Sequence, residues 1–175
     1  MSGFPIFLKL EDKLVLVVGD GPVAREKMAR VLEAGARVRQ VAPELNHAFR
    51  DEDLDGVWLA IAAATADVNR AVRAAADARR VFVIAVDDVA SCSAFGAARI
   101  DRGGLTVAIS SDGRAPALVA LLRRAIESLL PDEIETWREI AERERAAHRA
   151  AGVPMESRRP LLLRALDALY PREAA

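Results

Sequence analysis

The stretch that decides the fold reads LVLVVGDGPVAREKMARVLEAGARV and covers residues 14–38. Its opening run of Leu and Val is typical of a strand that is buried on both faces, as in a parallel sheet. From Pro22 onward the apolar positions recur with the period of an α-helix, and proline suits the first helical position. Gly35 suits the position just past the helix end. The stretch therefore predicts a strand, a glycine turn and a helix in succession.

The turn GDGPVA, residues 19–24, matches the dinucleotide-binding pattern G-x-G-x-x-G/A. In this pattern the first glycine permits a tight turn and the second lets the backbone approach a pyrophosphate. The small third residue lets the helix pack on the strand. The helix N-terminus adds amide donors and a partial positive charge. Any strand-to-helix turn favours glycine, but the position between a buried strand and a helix supports a dinucleotide site made by Gly19, Gly21 and Ala24.

Two features oppose a simple NAD site. Asp20 lies inside the loop, where its carboxylate would repel a phosphate unless the side chain turns outward. An acidic residue is expected about 20 residues further on, at the end of the second strand. There the sequence has Arg39 followed by QVAP, and Glu44 comes slightly late. Arg39 could instead meet a 2′-phosphate, although a lone arginine is more often a solvated strand residue, so the choice between NAD and NADP stays open.

Apolar runs continue through the N-terminal half. The runs at residues 36–43, 57–64 and 81–86 predict further strands, and the alanine-rich stretch Ala66–Arg79 predicts a helix. In the C-terminal half, DRGG is a turn signal that predicts a hairpin of residues 97–100 and 105–110. Three helices are predicted after it: from Pro116 to about Leu130, from a cap at Asp132 to about Ala151, and from Met155 to Tyr170. An alternating α/β half is thus followed by a helical tail.

Composition excludes several classes of function. The chain has 175 residues, of which 52% are hydrophobic and 29% charged, with a net charge of −1. It has no apolar run long enough for a membrane span and no broad basic surface for nucleic acid. A single cysteine and two histidines cannot build a disulfide framework or a thiolate–imidazole zinc site. With an N-terminus unlike a secretory signal, these features indicate a soluble, cytoplasmic globular protein.

Nearly the whole chain resembles the precorrin-2 dehydrogenase family, which is also the N-terminal module of siroheme synthase. The segments that carry the resemblance are FPIFLKLEDKLVLVVGDGPVAREKMARVLEAGARVRQVAPEL, DLDGVWLAIAAATADVNRAV, VFVIAVDD and DRGGLTVAISSDGRAPALVALLRRAIESLLP. The resemblance implies NAD-dependent oxidation of precorrin-2 to sirohydrochlorin. In some members it also implies insertion of ferrous iron, a ferrochelatase activity in which iron is a substrate. It further implies a homodimer.

The resemblance also assigns site residues. Asp87 matches the aspartate proposed as general base and as a participant in chelation, and Ser111 matches a serine near the tetrapyrrole or metal site. Together they are the implied metal contacts, and Ser111 with Arg114 would contact the substrate. The implied cofactor site comprises Gly19, Asp20, Gly21, Pro22, Val23, Ala24 and Pro43.

The chain departs from the family pattern in several places. Asp20 replaces a usual glycine, Asp112–Gly113 replaces a glycine pair, and Ala115 replaces a serine that would cap the next helix, worth about 1 kcal/mol. Only the thirteen residues 44–56 join two strands where the family has a helix and an edge strand. These departures motivate an alternative, a non-catalytic tetrapyrrole-binding or structural relative that has lost NAD. A nucleotide-sensing regulatory module is a third hypothesis, which the helical tail and AVDD oppose.

The predicted architecture is α/β. A Rossmann-like parallel sheet, shortened by one edge strand, occupies residues 1–112. A dimerisation helix region follows at 113–140 and a small C-terminal helical domain at 141–175. The predicted helix from Pro116 carries an apolar stripe larger than a thin monomer needs: Leu118, Leu121, Leu122, Ile126, Leu129 and Leu130. We therefore expect this helix to bury its stripe against a second copy of the chain.

Overall fold

The computed structural model describes residues 3–167. Its N-terminal half alternates strands and helices: β1 Leu14–Val18, α1 Pro22–Glu33, β2 Arg37–Val41, β3 Val57–Ala62, α2 Ala66–Arg79 and β4 Phe82–Ala85. The C-terminal half contains β5 Ala98–Arg102, β6 Leu105–Ile109, α3 Pro116–Leu129, α4 Ile134–Ala150 and α5 Met155–Asp167. The predicted alternation and the helical tail are confirmed. The predicted end of the last helix, at Tyr170, lies outside the described residues.

The first four strands form a parallel sheet in the order β2-β1-β3-β4. β1 lies in the middle and is buried on both faces, as its unbroken run of Leu and Val predicts. On one face Val15 and Val17 pack with Ala24 and Val31 of α1. On the other face a second cluster joins the sheet to α2, and it includes Leu16, Val18, Val72 and Ala76. α1 and α2 thus cover opposite faces of the sheet.

The connection between β2 and β3 carries no strand. It forms two short 3₁₀ turns, Pro43–Leu45 and Asp51–Leu54, so β2 is the sheet edge among the residues that the structure describes. The predicted loss of an edge strand is confirmed. Arg39 Nη1 donates hydrogen bonds to the carbonyl oxygens of Asp53, at 2.6 Å, and Asp55, at 3.4 Å. These bonds hold the connection beside the edge strand.

A buried carboxylate stabilises the same connection. Asp53 is 8% exposed, and its carboxylate accepts a hydrogen bond from the backbone N–H of Arg50 at 2.8 Å. Nε2 of His47 lies 3.0 Å from the same carboxylate. The connection contains no α-helix of its own, and local polar contacts order it instead.

Internal contacts divide the chain into two compact units. One unit comprises residues up to 96 together with 110–116, and the other comprises 97–109 and the residues from 117 onward. Because both units draw on separate stretches of the chain, the boundaries predicted at 112 and 140 stay a prediction.

The second unit joins the β5–β6 hairpin to the helical tail. The hairpin turn contains Gly103, whose carbonyl oxygen accepts a hydrogen bond from Arg138 Nε at 2.8 Å. The predicted cap at Asp132 is wrong by one position, since Glu133 occupies the N-cap of α4. Asp132 is turned to Arg102 at 3.7 Å instead. No helix within residues 3–167 is both long enough and apolar enough to cross a membrane.

Candidate active site

The first glycine of the loop is fixed from two sides. Gly19 has φ of +116°, and an added Cβ would lie 2.4 Å from the carbonyl oxygen of Ala63. Its N–H donates to the carbonyl oxygen of Val41 at 2.8 Å, and its own carbonyl oxygen accepts from Gln40 Nε2 at 2.9 Å. Glycine is required here because both the conformation and the close approach exclude a side chain.

The second glycine faces open space. Gly21 is the N-cap of α1, its φ is −61°, and an added Cβ would meet nothing within 4 Å. No side chain caps this helix end, so the N–H groups of Val23 and Ala24 are left for a ligand. Pro22 occupies the first helical position, as predicted, and has no N–H to contribute. The space and the donors both fit the backbone approach that a pyrophosphate needs.

A cleft of about 460 Å³ opens beside this loop. Its walls come from the glycine loop, from the turn after β2 and from the residues that follow β3. The lining residues are Val18, Gly19, Asp20, Gly21, Ala42, Pro43, Glu44, Ala48, Phe49, Ala63, Ala64, Thr65, Asp67, Val68 and Ala71. The volume lies in the range of small-molecule sites, and Phe49 and Val68 supply an apolar wall. The cleft therefore fits part of a dinucleotide, at the place where open α/β sheets bind ligands.

The charged residues of the cleft are all acidic. Asp20, Glu44 and Asp67 line it, and no lysine or arginine is among the lining residues in the part of the chain that the structure describes. Arg25 binds the outer side of the loop, where its Nε donates to the carbonyl oxygen of Asp20 at 2.7 Å. Arg39, the alternative contact for a 2′-phosphate, is engaged by the carbonyl oxygens of the β2–β3 connection.

Asp87 lies at the same edge of the sheet. It follows β4 and is exposed, with φ of +55°. The preceding residue still belongs to the sheet, because the N–H of Val86 donates to the carbonyl oxygen of Ala62 at 2.8 Å. Aspartate adopts this left-handed conformation more readily than most residues, and Asp12 and Asp112 share it, so the backbone at Asp87 suits a tight turn.

Asp88 is a turn residue, as its position after the strand predicts. Its carboxylate accepts a hydrogen bond from the N–H of Ser91 at 3.2 Å and caps a short 3₁₀ turn. Hydrogen bonds from Ser91, the charge of Arg70 and a hydrogen bond from Asn69 lower the pKa of Asp88 from its usual value, although partial burial acts in the opposite direction.

Asn69 connects the two parts of the site. It is 1% exposed, and its Oδ1 accepts a hydrogen bond from the N–H of Ala64, which lines the cleft. A hydrogen bond from the same side chain is the smallest of the causes that lower the pKa of Asp88, next to Asp87. The buried amide therefore holds Ala64 and lies close to the turn that carries Asp87.

Ser111 takes part in the turn that leads into α3. Its Oγ accepts a hydrogen bond from the N–H of Ala115 at 2.9 Å. A serine at 115 would accept from N–H groups further along the helix, so this bond orders the turn without replacing the cap that the sequence lacks at Ala115. The hydroxyl hydrogen of Ser111 remains available as a donor.

The turns of Ser111 and Asp87 lie beside each other. An added Cβ on Gly113, two residues after Ser111, would be 3.0 Å from the side chain of Val89, two residues after Asp87. Arg114 is exposed in the same turn. Two other arginines are engaged elsewhere: Arg99 pairs with Asp101, and Arg102 donates to the carbonyl oxygen of Leu130.

Cys92 is a packing residue in this structure. Partial burial is the largest cause of a raised pKa for its thiol, and the charge of Asp88 adds to it. Sγ lies 3.3 Å from the carbonyl oxygen of Ala85. Within residues 3–167 no three His, Cys, Asp or Glu side chains cluster in a way that could hold a metal ion.

Sequence reasoning did not find two residues of the site. Gln40 was one of several residues in an alternating strand, and only the fold brings its amide to the glycine loop. Phe49 lies in the shortened connection, whose path no local pattern indicates. One signal is present in the sequence: an aromatic residue in an otherwise polar connection is typical of a segment that packs against the protein core.

Two family models match successive parts of the chain. The family model described as NAD(P)-binding matches residues 6–98. The chain belongs to this NAD(P)-binding family. A second family model, described as the central part of sirohaem biosynthesis proteins, matches residues 102–129. The first match contains all of the cleft and Asp87, and the second contains Ser111 and Arg114.

The chain is also similar to curated proteins over most of its length. The chain is 37% identical to the siroheme synthase of Photorhabdus laumondii over 97% of its own length and 40% of that protein. It is 42% identical to the siroheme synthase of Photobacterium profundum over 81% of its own length and 34% of that protein. The chain thus spans less than half the length of these relatives.

A solved structure confirms the predicted α/β fold of this family member. The precorrin-2 dehydrogenase SirC superposes on this chain with a TM-score of 0.69. The superposition covers 96% of this chain and 92% of the SirC chain. The two share 22% sequence identity, so this likeness concerns the fold.

Proposed function

We propose that this chain catalyses the NAD-dependent oxidation of precorrin-2 to sirohydrochlorin in siroheme biosynthesis. The observation that carries the proposal is the placement of a glycine-loop cleft and the exposed Asp87 at one carboxyl edge of a parallel sheet. The names of the relatives, siroheme synthase, and of the structural neighbour, precorrin-2 dehydrogenase, agree with it.

The glycine loop would hold the cofactor. Gly21 leaves room for the pyrophosphate, the free N–H groups at the start of α1 donate to it, and Pro43 and Phe49 border the adjoining space. NAD, when bound, supplies a nicotinamide ring that accepts a hydride. The role of these residues is to position that ring against the substrate and to exclude water.

Asp87 would take the proton. Oxidation removes one hydride and one proton from the macrocycle and leaves one more double bond. The exposed carboxylate of Asp87 accepts that proton as a general base. Ser111 and Arg114 lie on the neighbouring turn, where a hydroxyl donor and a guanidinium can bind the carboxylates of a tetrapyrrole.

Anaerobic turnover of precorrin-2 with NAD tests the proposal. Sirohydrochlorin formation is followed by absorbance for the native chain, for Asp87→Asn and for Asp12→Asn. Asp12 is a matched control because it is also an exposed aspartate with positive φ, 58°, and asparagine tolerates that conformation. We expect turnover by the native chain, a loss of about 100-fold or more in Asp87→Asn, and little change in Asp12→Asn.

The alternative function is binding of a tetrapyrrole without oxidation. The observation that favours it is the acidic lining of the cleft by Asp20, Glu44 and Asp67. Calorimetry separates the two, because the dehydrogenase binds both NAD and precorrin-2 whereas the non-catalytic relative binds only the tetrapyrrole. Absence of turnover together with absence of NAD binding would reject the dehydrogenase.

Chelation of ferrous iron is the finer part of the proposal. It is supported by the adjacency of the Asp87 and Ser111 turns, which could offer iron a carboxylate and a hydroxyl during insertion. Siroheme formation from sirohydrochlorin and ferrous iron, compared between the native chain and Ser111→Ala, tests it. We expect iron insertion to slow more in the variant than precorrin-2 oxidation does, because oxidation loses only the contact of Ser111 with the tetrapyrrole.

The proposed assembly is a homodimer joined through α3. None of the described residues of this helix is buried, and Leu118, Leu121 and Leu129 are 52%, 64% and 80% exposed. Covering such a stripe against its own copy removes apolar surface from water on both partners. We also propose a cytoplasmic location, because a chain with a single cysteine needs no disulfide and suits a reducing compartment.

Sedimentation velocity tests the dimer. Leu121→Glu places a charge in the stripe and should give a monomer, whereas Ala120→Glu places the same charge on the opposite side of α3 and should leave the dimer intact. A monomeric native chain would contradict the assembly, and so would a Leu121→Glu variant that remains dimeric.

A further inference from the structure

The order of the strands fixes the direction in which a dinucleotide would lie. The glycine loop follows the central strand β1, whereas Asp87 follows the edge strand β4 on one side of it. With the pyrophosphate at the loop and the nicotinamide near Asp87, the adenosine half extends toward β2 on the other side. The residues that follow β2 therefore form the adenosine end of the site.

At this end the connection between β2 and β3 supplies an aromatic wall. Phe49 is half-buried, since it packs against the core beside α2 and also lines the cleft. Val68, in the first turn of α2, does the same. Phe49 is the largest apolar group that the connection brings to the cleft, and no other aromatic residue lines it among the residues that the structure describes.

The connection is fixed on both sides of Phe49. Before it, the N–H of His47 donates to the carbonyl oxygen of Ala42 at 3.1 Å, which ties the connection to the end of β2. After it, the N–H of Arg50 donates to the carboxylate of Asp53 at 2.8 Å, and the N–H of Asp53 donates to the carbonyl oxygen of Arg50 at 3.0 Å. Because Phe49 lies between two bonded points, a ligand that contacts it loses little affinity to the ordering of the chain.

We infer that Phe49 is the surface on which the adenine ring of the cofactor stacks. Adenine is flat and uncharged, so its face gains contact with an aromatic ring without opposing the acidic side chains that line the cleft. The connection, which contains neither an α-helix nor a strand, thereby provides the adenosine wall with one side chain. The inference rests on the proposed function, since it concerns the cofactor of the same cleft.

Calorimetric titration of the full chain with NAD and with ADP-ribose, which lacks the nicotinamide, tests this inference. We expect Phe49→Ala to bind both ligands about tenfold more weakly than the native chain, because a stacking surface is lost. The matched control is Phe82→Ala, which removes the same ring from the start of β4, where Phe82 is exposed and does not line the cleft. The control should keep the native affinity for both ligands.

Nuclear magnetic resonance gives a readout that a purely structural role of Phe49 would not change. With isotope labels only in the phenylalanine rings, bound NAD should show nuclear Overhauser contacts between its adenine protons and a labelled ring. These contacts should persist in Phe82→Leu and disappear in Phe49→Leu. Leucine at position 49 keeps an apolar side chain against the core, and thermal melting checks that this variant is folded.

The outcomes separate the inference from the proposed function. A native chain that binds NAD without contacts between adenine and a labelled ring would overturn the inference, and so would an unchanged affinity in Phe49→Ala. Either result leaves the dehydrogenase proposal standing. A native chain that binds neither NAD nor ADP-ribose would overturn the proposed function and the inference with it.

Discussion

The side-chain amide of Gln40 donates a hydrogen bond to the carbonyl oxygen of Gly19 at 2.9 Å. The bond joins the last part of β2 to the first residue of the glycine loop. With the bond from the N–H of Gly19 to Val41, it satisfies both polar groups of that glycine from the neighbouring strand. The orientation of the Gly19 peptide, and hence the path of the loop, is fixed before any ligand arrives.

We expect Gln40→Met to weaken cofactor binding. Methionine fills similar space but cannot donate, so the carbonyl oxygen of Gly19 loses its partner and stability falls by about 1 kcal/mol. A loop with more freedom pays more entropy on binding, and calorimetry should show NAD affinity reduced several-fold. Arg37→Met, at the other end of β2, is the control and should keep the native affinity. An unchanged affinity in Gln40→Met would show that the bond is dispensable.

The two glycines of the loop should respond differently to alanine. Gly19→Ala forces a side chain against the carbonyl oxygen of Ala63 in a backbone conformation that alanine disfavours, so we expect a loss of stability of about 1–3 kcal/mol. Gly21→Ala has free space and an ordinary φ, so its melting temperature should stay near the native one. Its methyl group, however, occupies the approach to the pyrophosphate, and NAD affinity should fall. Thermal melting and calorimetry on both variants check this; a destabilised Gly21→Ala would contradict it.

Asp88 should contribute to stability in a pH-dependent way. Its pKa in the folded chain lies below the ordinary value of 3.8, so the charged form is favoured by folding. That stabilisation is present above the ordinary value and is lost as the pH falls through the folded value. The stability difference between the native chain and Asp88→Asn, measured by urea unfolding, should therefore shrink from pH 7 toward pH 3. Asp51→Asn, which replaces an exposed aspartate distant from Asp88 in the sequence, is the control. A stability difference for Asp88→Asn that stays constant with pH would contradict the prediction.

Cys92 should react slowly with alkylating reagents. Partial burial and the nearby charge of Asp88 raise the pKa of its thiol, which lowers the fraction of reactive thiolate. At pH 8 we expect iodoacetamide to modify the folded chain at least about tenfold more slowly than the chain in urea. Mass spectrometry over time measures both rates. Equal rates would show that the thiol is accessible and that the packing described for it is incorrect.

The sequence predicts the sheet well because its strands are short runs of branched apolar residues with little competing signal. Helix α2 is predicted at its observed bounds, Ala66–Arg79, because the alanine-rich run favours a helix over its whole length. The cap of α4 was misplaced by one residue, because Asp132 and Glu133 are both acidic and only the backbone distinguishes them. Local patterns identify elements, but not which of two neighbours adopts the cap conformation.

The site was less accessible to sequence reasoning. The glycine loop is a local pattern, and it was found. Gln40 and Asn69 act across the sheet, through bonds to Gly19 and Ala64 that depend on strand order and helix placement. The role of Ser111 as a backbone acceptor required the turn geometry, which a comparison with the family pattern at Ala115 did not reveal.

The short connection between β2 and β3 also bears on how fast the sheet assembles. A chain with a helix and another strand in this interval must close a longer loop before β3 can pair with β1, and each doubling of loop length costs about 0.6 kcal/mol. Here the thirteen residues 44–56 bring the third strand to the first with a small sequence separation. Lower contact order speeds folding in single domains. Compared with a chain that has the longer interval, this chain should form its central strand pairing earlier and spend less time with β1 unprotected.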